Sequence, residues 1–187
     1  KNYEIGKILM PVTSVSTATV NRLLDAIEEK DVSVEAPAPG DVYTLGDVSF
    51  EILGPDPSVE DDANNSSIVL RLRFGDTYFM FTGDAEKESE AKILESFPES
   101  DLKSDFLKVG HHGSSTSTSE AFLAAVSPEY AAISCEKGNS YGHPHRETIA
   151  VLKKYGITGD RLLRTDISGT IVVVSDGQTL SVGSSGN

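Results

Sequence analysis

The pattern of hydrophobic and polar positions predicts a chain that opens with one strand and one helix and continues as two hairpins. The run IGKILMP predicts a short buried strand that ends at Pro11. The next apolar positions recur at helical spacing behind a serine or threonine N-cap. They are Val20, Leu23, Leu24 and Ile27, with Ser16 or Thr17 as the cap. Alternating stretches at residues 42–53 and 68–84 then predict hairpins, each turning at a Gly-Asp pair.

The second half of the chain alternates strands with helices. A helix is predicted from about Lys87 to Phe97, and the runs DFLKVG and EYAAISC predict strands on either side of a helix in TSEAFLAAV. Ser117 or Thr118 is the expected cap of that helix. HRETIAVLKKYG predicts a further helix that Gly156 ends, and RLLRT, TIVVVS and TLSVG predict three closing strands. This order indicates an α/β fold with helix-covered sheets. We expect one domain over residues 1–182 and a disordered tail at 183–187.

Composition narrows the classes of protein and partner. The length of 187 residues and the 38% hydrophobic content suit one domain with a substantial core. The net charge of −13 argues against an extended basic surface for nucleic acid. A single cysteine excludes an internal disulfide and an all-cysteine zinc site. No run of eighteen apolar residues occurs, and the start KNYEIGKILMPV does not have the pattern of a signal peptide.

The four histidines occur as two close pairs, and each pair follows a strand-like run. LKVGHH ends at His111 and His112, and YGHPH contains His143 and His145. A third run, YFMFTGD, ends at Asp84. If the three strands are neighbours, their ends meet at one edge of the sheet and bring a carboxylate to the imidazoles. Carboxylate and imidazole ligands suit zinc, manganese or iron, and ligands on successive strand ends indicate a catalytic site.

Each of these features also has a purely structural interpretation. Asp84 is a good N-cap for the following helix. A histidine pair often serves surface hydrogen bonds, and the hydroxyls after Gly113 are compatible with a loop and a helix cap. The coincidence of ligand-competent residues at three successive strand ends favours a metal site over these alternatives.

Several motifs together resemble a known family. FTGD, LKVGHHGSS, YGHPH and NNSSIVLRL are similar to the later half of a metallo-β-lactamase-fold hydrolase. The resemblance is to the ComEC-type branch, which comprises the hydrolase domain of DNA-uptake competence proteins and secreted relatives, and it runs from about Ile5 to Val182. It implies an αββα sandwich with two metals. The family's first metal motif, His-x-His-x-Asp-His, has no counterpart before His111. We therefore expect a sandwich truncated at its N-terminal half.

The resemblance also implies roles for individual residues. Asp84 would bridge two metals, His112 would bind one of them and His143 the other. His111 would face the substrate as an acid or electrostatic stabiliser. Substrate-binding candidates are Ser114, Ser115, Thr116 and His145. The implied cofactor is zinc or manganese, with two ions in an intact domain. The isolated chain is expected to be weakly metallated or empty and to be inactive.

The function implied by the resemblance is hydrolysis of a phosphodiester, in DNA, within a parent protein that is membrane-associated or secreted by a bacterium. Two alternatives stay open. One is a hydrolase of the same fold that acts on phosphorylcholine, a thioester or a lactam. The other is a metal-free, non-catalytic domain whose histidines serve hydrogen bonds. We also expect self-association through exposed sheet edges.

Overall fold

The computed structural model describes residues 3–12, 16–59 and 62–184. It opens with two parallel strands, β1 (Lys7–Leu9) and β2 (Ser33–Glu35), joined by helix α1 (Ala18–Lys30). The Thr17 hydroxyl caps α1 by accepting the Val20 N–H, as one of the two predicted caps. The predicted burial of the first strand is wrong, because β1 pairs only with β2 and remains partly exposed. The sequence pattern did not predict β2.

A seven-stranded mixed sheet forms the centre of the described chain, and its strands are adjacent in the order in which the sequence runs. They are β3 (Val42–Leu45), β4 (Val48–Gly54), β5 (Val69–Phe74), β6 (Thr77–Phe81), β7 (Phe106–Lys108), β8 (Tyr130–Ile133) and β9 (Leu162–Arg164). Neighbours from β3 to β6 are antiparallel and form the two predicted hairpins. Neighbours from β6 to β9 are parallel. The loops after β6, β7 and β8 therefore lie at one edge.

The two faces of this sheet are covered differently. One face carries the main core together with α2 (Lys87–Ser96), α3 (Glu99–Leu102), α4 (Glu120–Val126) and α5 (Arg146–Lys154). The other face is partly covered by a hairpin of β10 (Ile171–Ser175) and β11 (Leu180–Ser184), which follows the short helix α6 (Thr165–Ser168). This hairpin packs Ile171, Val173 and Leu180 against a smaller cluster of Phe79, Phe106 and Ala132.

Several predicted boundaries need correction. Ser119 caps α4 by accepting the Phe122 N–H, whereas the predicted caps are buried and bonded elsewhere: Ser117 donates to Ala85 O, and Thr118 accepts the Gly110 N–H. Strand β11 includes residues 183 and 184, the first two residues of the predicted tail, and residues 185–187 lie outside the described residues. The short helices α3 and α6 were not predicted. No helix of the described segments combines the length and apolar character needed to cross a membrane.

Candidate functional site

Polar side chains from three successive loops meet beyond the ends of β6, β7 and β8. Asp84 Oδ1 lies 3.4 Å from His112 Nε2. The ring centroid of His143 is 6.4 Å from that of His112 and 5.5 Å from that of His111. The structure thus brings together the predicted residues Asp84, His111, His112 and His143, because parallel strands present their carboxyl ends at one edge.

Asp84 is positioned by the loop that precedes β5. Its backbone N–H donates to the Ser67 hydroxyl at 3.0 Å. The neighbouring Gly83 has a φ of +53°, and a Cβ at that position would lie 2.9 Å from Ser67 Cβ. The N-cap position of α2 is occupied by Glu86, so Asp84 does not cap that helix. Its carboxylate remains directed toward His112.

His111 and His112 lie in a left-handed turn, with φ values of +44° and +56°. Strand β7 ends at Lys108, so this turn directs the two imidazoles to different partners. Left-handed backbone at a non-glycine residue costs about 1–3 kcal/mol, so such a pair requires support from its surroundings. The His111 N–H supplies part of that support by donating to Gly83 O at 3.1 Å.

His112 is oriented as a ligand. Its Nδ1 lies 2.7 Å from the carbonyl oxygen of Ser134, which can only accept, so Nδ1 carries the proton. The unprotonated Nε2 is left facing Asp84 Oδ1. This is the arrangement by which metal-binding histidines are usually held, with the second ring nitrogen donating to a carbonyl. Two ligands that each lie about 2 Å from a tetrahedral ion are separated by about 3.3 Å, so the 3.4 Å pair of Asp84 and His112 fits one metal.

His111 is paired with a glutamate that the sequence analysis missed. Its Nδ1 lies 3.2 Å from Glu86 Oε1 and 3.4 Å from the Thr116 hydroxyl, which donates to the same carboxylate oxygen. Asn64 donates to Glu86 Oε1 at 3.1 Å, and the Asn65 side-chain oxygen accepts the Glu86 N–H. The position of Glu86 two residues after Asp84 and the quoted NNSS motif were the signals that could have identified this pairing.

His143 is held by its loop in a state suited to metal binding. The Asn139 side chain accepts the His143 N–H at 3.0 Å and donates to the His143 carbonyl at 2.7 Å. Burial lowers the pKa of His143, the positive potentials of His145, His111 and His112 lower it further, and Asp84 opposes the shift. The neutral ring is therefore favoured, and this is the form that binds a metal.

The predicted substrate-binding residues lie largely inside the loop network. The Ser114 side chain is buried and bonds to Thr116 at 3.0 Å. The Ser115 N–H donates to His145 Nδ1 at 3.0 Å, and the Ser115 hydroxyl lies 3.1 Å from the same nitrogen. His145 Nε2 donates to the Tyr141 carbonyl at 3.2 Å. Both nitrogens of His145 are therefore occupied. The Ser115–His145 bonds thus join the two histidine loops, and substrate contacts by Ser114, Ser115, Thr116 and His145 stay a prediction.

Gly113 allows those two loops to approach closely. It has a φ of +85°, and a Cβ there would lie 2.6 Å from Pro144 Cβ. Its carbonyl accepts the His145 N–H at 2.9 Å, and the Ser114 carbonyl accepts the Thr148 hydroxyl at the same distance. The close packing of HHGS against GHPH sets the separation of His112 and His143.

The carboxylate and imidazole groups that meet here are of the types that bind divalent metals. Their geometry places Asp84 and His112 as two ligands of one ion. Across residues 3–12, 16–59 and 62–184, no group of three or more His, Cys, Asp or Glu side chains is arranged to hold a metal ion. Catalytic zinc usually has three protein ligands. Asp84 and His112 therefore form an incomplete site, next to which His143 is available as a further donor.

Comparison with known proteins places this geometry in context. The family model of the metallo-beta-lactamase superfamily matches residues 11–136. The chain is 39% identical over 171 residues to ComE operon protein 3 of Bacillus subtilis (strain 168), covering 91% of this chain and 21% of that protein. It is 42% identical over 124 residues to competence protein ComA of Neisseria gonorrhoeae, covering 66% of this chain and 17% of that protein. The chain thus spans about a fifth of these relatives.

Similarity to solved structures supports the same fold. CmlA, a diiron beta-hydroxylase from Streptomyces venezuelae, superposes with a TM-score of 0.52 at 12% identity. The match covers 85% of this chain and 38% of CmlA. At this level of identity the likeness concerns the fold alone.

Proposed function

The chain belongs to the metallo-β-lactamase superfamily, and from this premise we propose that it is part of a metal-dependent phosphodiesterase that acts on DNA during uptake. The observation that carries the proposal is the convergence of Asp84, His112 and His143 at one sheet edge, with Asp84 and His112 at single-metal distance. Similarity to competence proteins supports DNA as the substrate and a larger protein as the context.

Each site residue has a distinct proposed task. Asp84 and His112 would hold a divalent metal, zinc or manganese, and His143 would contribute to a second. A bound metal pair lowers the pKa of a coordinated water and neutralises charge on the phosphoryl oxygens. His111 would give a proton to the leaving oxygen from Nε2, for which no partner exists among the described residues. Glu86 and Thr116 fix the opposite nitrogen of that ring.

The test of the proposal is a phosphodiesterase assay on the longer protein that contains this sequence, with Mn²⁺ or Zn²⁺ and a single-stranded oligonucleotide. We expect hydrolysis that Asp84→Ala abolishes and that Asp101→Ala, on the exposed surface of α3, leaves intact. Hydrolysis of a lactam, a thioester or phosphorylcholine instead of DNA would contradict the proposed substrate. A longer protein that binds no metal would contradict the proposed chemistry.

The 187-residue chain alone should behave differently. Because the described residues supply a ligand pair and one further donor, we expect fewer than two metals per chain and no hydrolysis. Metal content after dialysis, measured by mass spectrometry, checks the stoichiometry. Two tightly bound metals per chain, or phosphodiesterase activity that disappears in Asp84→Ala, would contradict this expectation.

A further inference from the structure

A cavity of about 860 Å³ lies on the sheet face opposite the main helices and reaches His112 at its margin. Its sides are formed by the sheet and by the hairpin of β10 and β11. The apolar residues that line it are Phe79, Phe81, Phe106, Ala132, Ile171 and Val173. Its volume is within the range of about 300–1,000 Å³ that is typical of small-ligand sites. His112 and Ser134, whose carbonyl orients the His112 ring, are the residues of the candidate site that line this cavity.

A lysine stands among these apolar groups. Lys108 is adjacent to Phe81 on β6 and to Ala132 on β8 in the sheet register, so the three side chains share the cavity face. Its ammonium donates to Val109 O at 2.7 Å. Within the described residues it forms no ion pair, and Glu136, the carboxylate in the cavity lining, lies at the exposed rim.

An ammonium in this position favours an anionic ligand. Burial lowers the pKa of Lys108, and the charges of Asp84 and Cys135 oppose that shift. A partly buried cation that has no direct ion pair is stabilised by an anionic ligand that reaches it. Among the described residues the Lys108 ammonium makes one hydrogen bond, so two of its N–H donors are available to that ligand.

Aromatic side chains beside Lys108 define the second part of the ligand. The Phe79 and Phe81 rings are nearly parallel, with an interplanar angle of 7° and centroids 6.5 Å apart. Phe79 is buried, whereas Phe81 is 37% exposed and borders the cavity. Aromatic side chains next to cations are the usual means of binding single-stranded nucleic acid, because each base stacks on a ring while the phosphate meets the charge.

We propose that this cavity is a nucleotide subsite, in which Lys108 binds the phosphate next to the scissile one and Phe81 stacks against the adjoining base. The inference rests on the proposed function, since it assigns the substrate of that site to single-stranded DNA. An unpaired strand is required because the base must leave its helical stack to enter the cavity. The net charge of −13 makes general attraction of DNA weak, so a localised contact carries the binding.

The experiment measures binding without hydrolysis, using fluorescein-labelled decathymidylate, the full chain and EDTA. Fluorescence anisotropy of Lys108→Met should show binding about tenfold weaker or more, since the change removes the charge and keeps the length. Phe81→Leu keeps the position apolar and should weaken binding about 5- to 100-fold, from the usual strength of base stacking. Lys92→Met is the matched control. It removes the same charge from a lysine that lies on α2, away from the cavity. It should bind as the unmodified chain does.

A decamer of abasic sites supplies the second comparison. It should bind weakly to the unmodified chain, and Phe81→Leu should not weaken it further. Equal binding by Lys108→Met and Lys92→Met, or no measurable binding by the unmodified chain, would overturn the subsite. Unchanged hydrolysis in Lys108→Met of the longer protein would also overturn it while leaving the hydrolase proposal intact. Oligonucleotide binding by the longer protein without hydrolysis under any metal would instead contradict the hydrolase proposal and leave the subsite as a binding site.

Discussion

At the scale of single residues, the two adjacent histidines differ in their hydrogen-bond partners. His112 donates through Nδ1 to a backbone carbonyl and turns Nε2 toward Asp84. His111 uses Nδ1 for Glu86 and Thr116. A backbone carbonyl can only accept, so it fixes the tautomer of His112, whereas the partners of His111 hold its Nδ1 and leave Nε2 toward a substrate. The first arrangement suits a metal ligand and the second suits a proton donor.

Alanine substitutions should separate these two roles. In the longer protein, His112→Ala is expected to weaken metal binding by about tenfold or more, since loss of a direct ligand costs at least as much as loss of its supporting partner. His111→Ala should retain metal and lose hydrolysis rate. Titration calorimetry with Mn²⁺ measures the affinity, and the oligonucleotide assay measures the rate. Equal loss of metal from both variants would show that the assignment is wrong.

At the scale of elements, the site depends on loops that are held to each other and to one helix. Gly113 lets the HHGS loop contact Pro144, and the buried Glu90 of α2 accepts N–H groups of Thr118 and Ser119. These contacts link the first turn of α4, the helix α2 and the second histidine loop. Strained backbone at His111 and His112 persists because these neighbours hold the loop ends.

Substitution of Gly113 should show how much the loop contact contributes. Gly113→Ala meets both a positive φ and a clash with Pro144, while Gly156→Ala meets a φ of +79° with no atom within 4 Å of the new Cβ. Gly156→Ala should lower the free energy of unfolding by about 1 kcal/mol. Gly113→Ala should lower it by about 1–3 kcal/mol more, from the overpacking. Chemical denaturation checks both values, and equal losses would mean that the Pro144 contact is easily relieved.

Replacement of Glu90 tests the link between α2 and α4. In Glu90→Gln, one backbone N–H faces the side-chain N–H of the new glutamine. We therefore expect the free energy of unfolding to fall by about 1–3 kcal/mol at neutral pH. Burial raises the pKa of Glu90, with the N–H donors of Ser119 and Thr118 opposing the shift. In the folded protein, Glu90 therefore takes up a proton at a pH at which the same carboxyl group in the unfolded chain is still ionised. Acidification through that window stabilises the wild type relative to the variant.

Denaturation at several pH values checks this prediction. Glu88→Gln, on the exposed side of the same helix, is the matched control and should leave stability nearly unchanged. A difference between wild type and Glu90→Gln that shrinks as the pH falls from neutral would contradict the predicted direction.

At the scale of the whole molecule, the described chain is one helix-covered sheet with a hairpin on its second face. The predicted α/β fold of the metallo-β-lactamase type is confirmed by the family model and by the likeness to CmlA. The seven-stranded sheet has β3 at one edge, where Val42 and Leu45 are 63% and 77% exposed. An edge strand with exposed apolar side chains offers backbone groups for pairing with another chain.

Self-association of the 187-residue chain is therefore expected at high concentration. Replacing Val42 and Leu45 together by lysine should shift the chain toward the monomer, because charged edge strands resist pairing. The control replaces Val172 and Val174, which are exposed on β10, by lysine and adds the same charge. Sedimentation velocity measures the distribution. A monomer at every concentration, or equal effects of the two pairs, would contradict pairing through β3.

The sequence by itself determined which residues are candidates for the site. Strand alternation, glycine turns and ligand-competent residues at strand ends are local features, so they identified Asp84, His111, His112 and His143 as residues that meet if their strands are neighbours. They also predicted both hairpins and the helices α1, α2, α4 and α5. Strand pairing in sequence order then made the predicted convergence correct.

Only the tertiary structure decided what each side chain contacts. The pairing of His111 with Glu86, the bond from Thr148 to the Ser114 carbonyl and the bond from Ser115 to His145 Nδ1 each join residues 25 or more positions apart. The placement of Lys108 in a cavity depends on the hairpin that β10 and β11 form across the sheet. Such contacts follow from how separate elements pack, and hydrophobic periodicity carries no information about that packing. The sequence therefore located the site, and the packing of the loops around it determined the role that each residue can have.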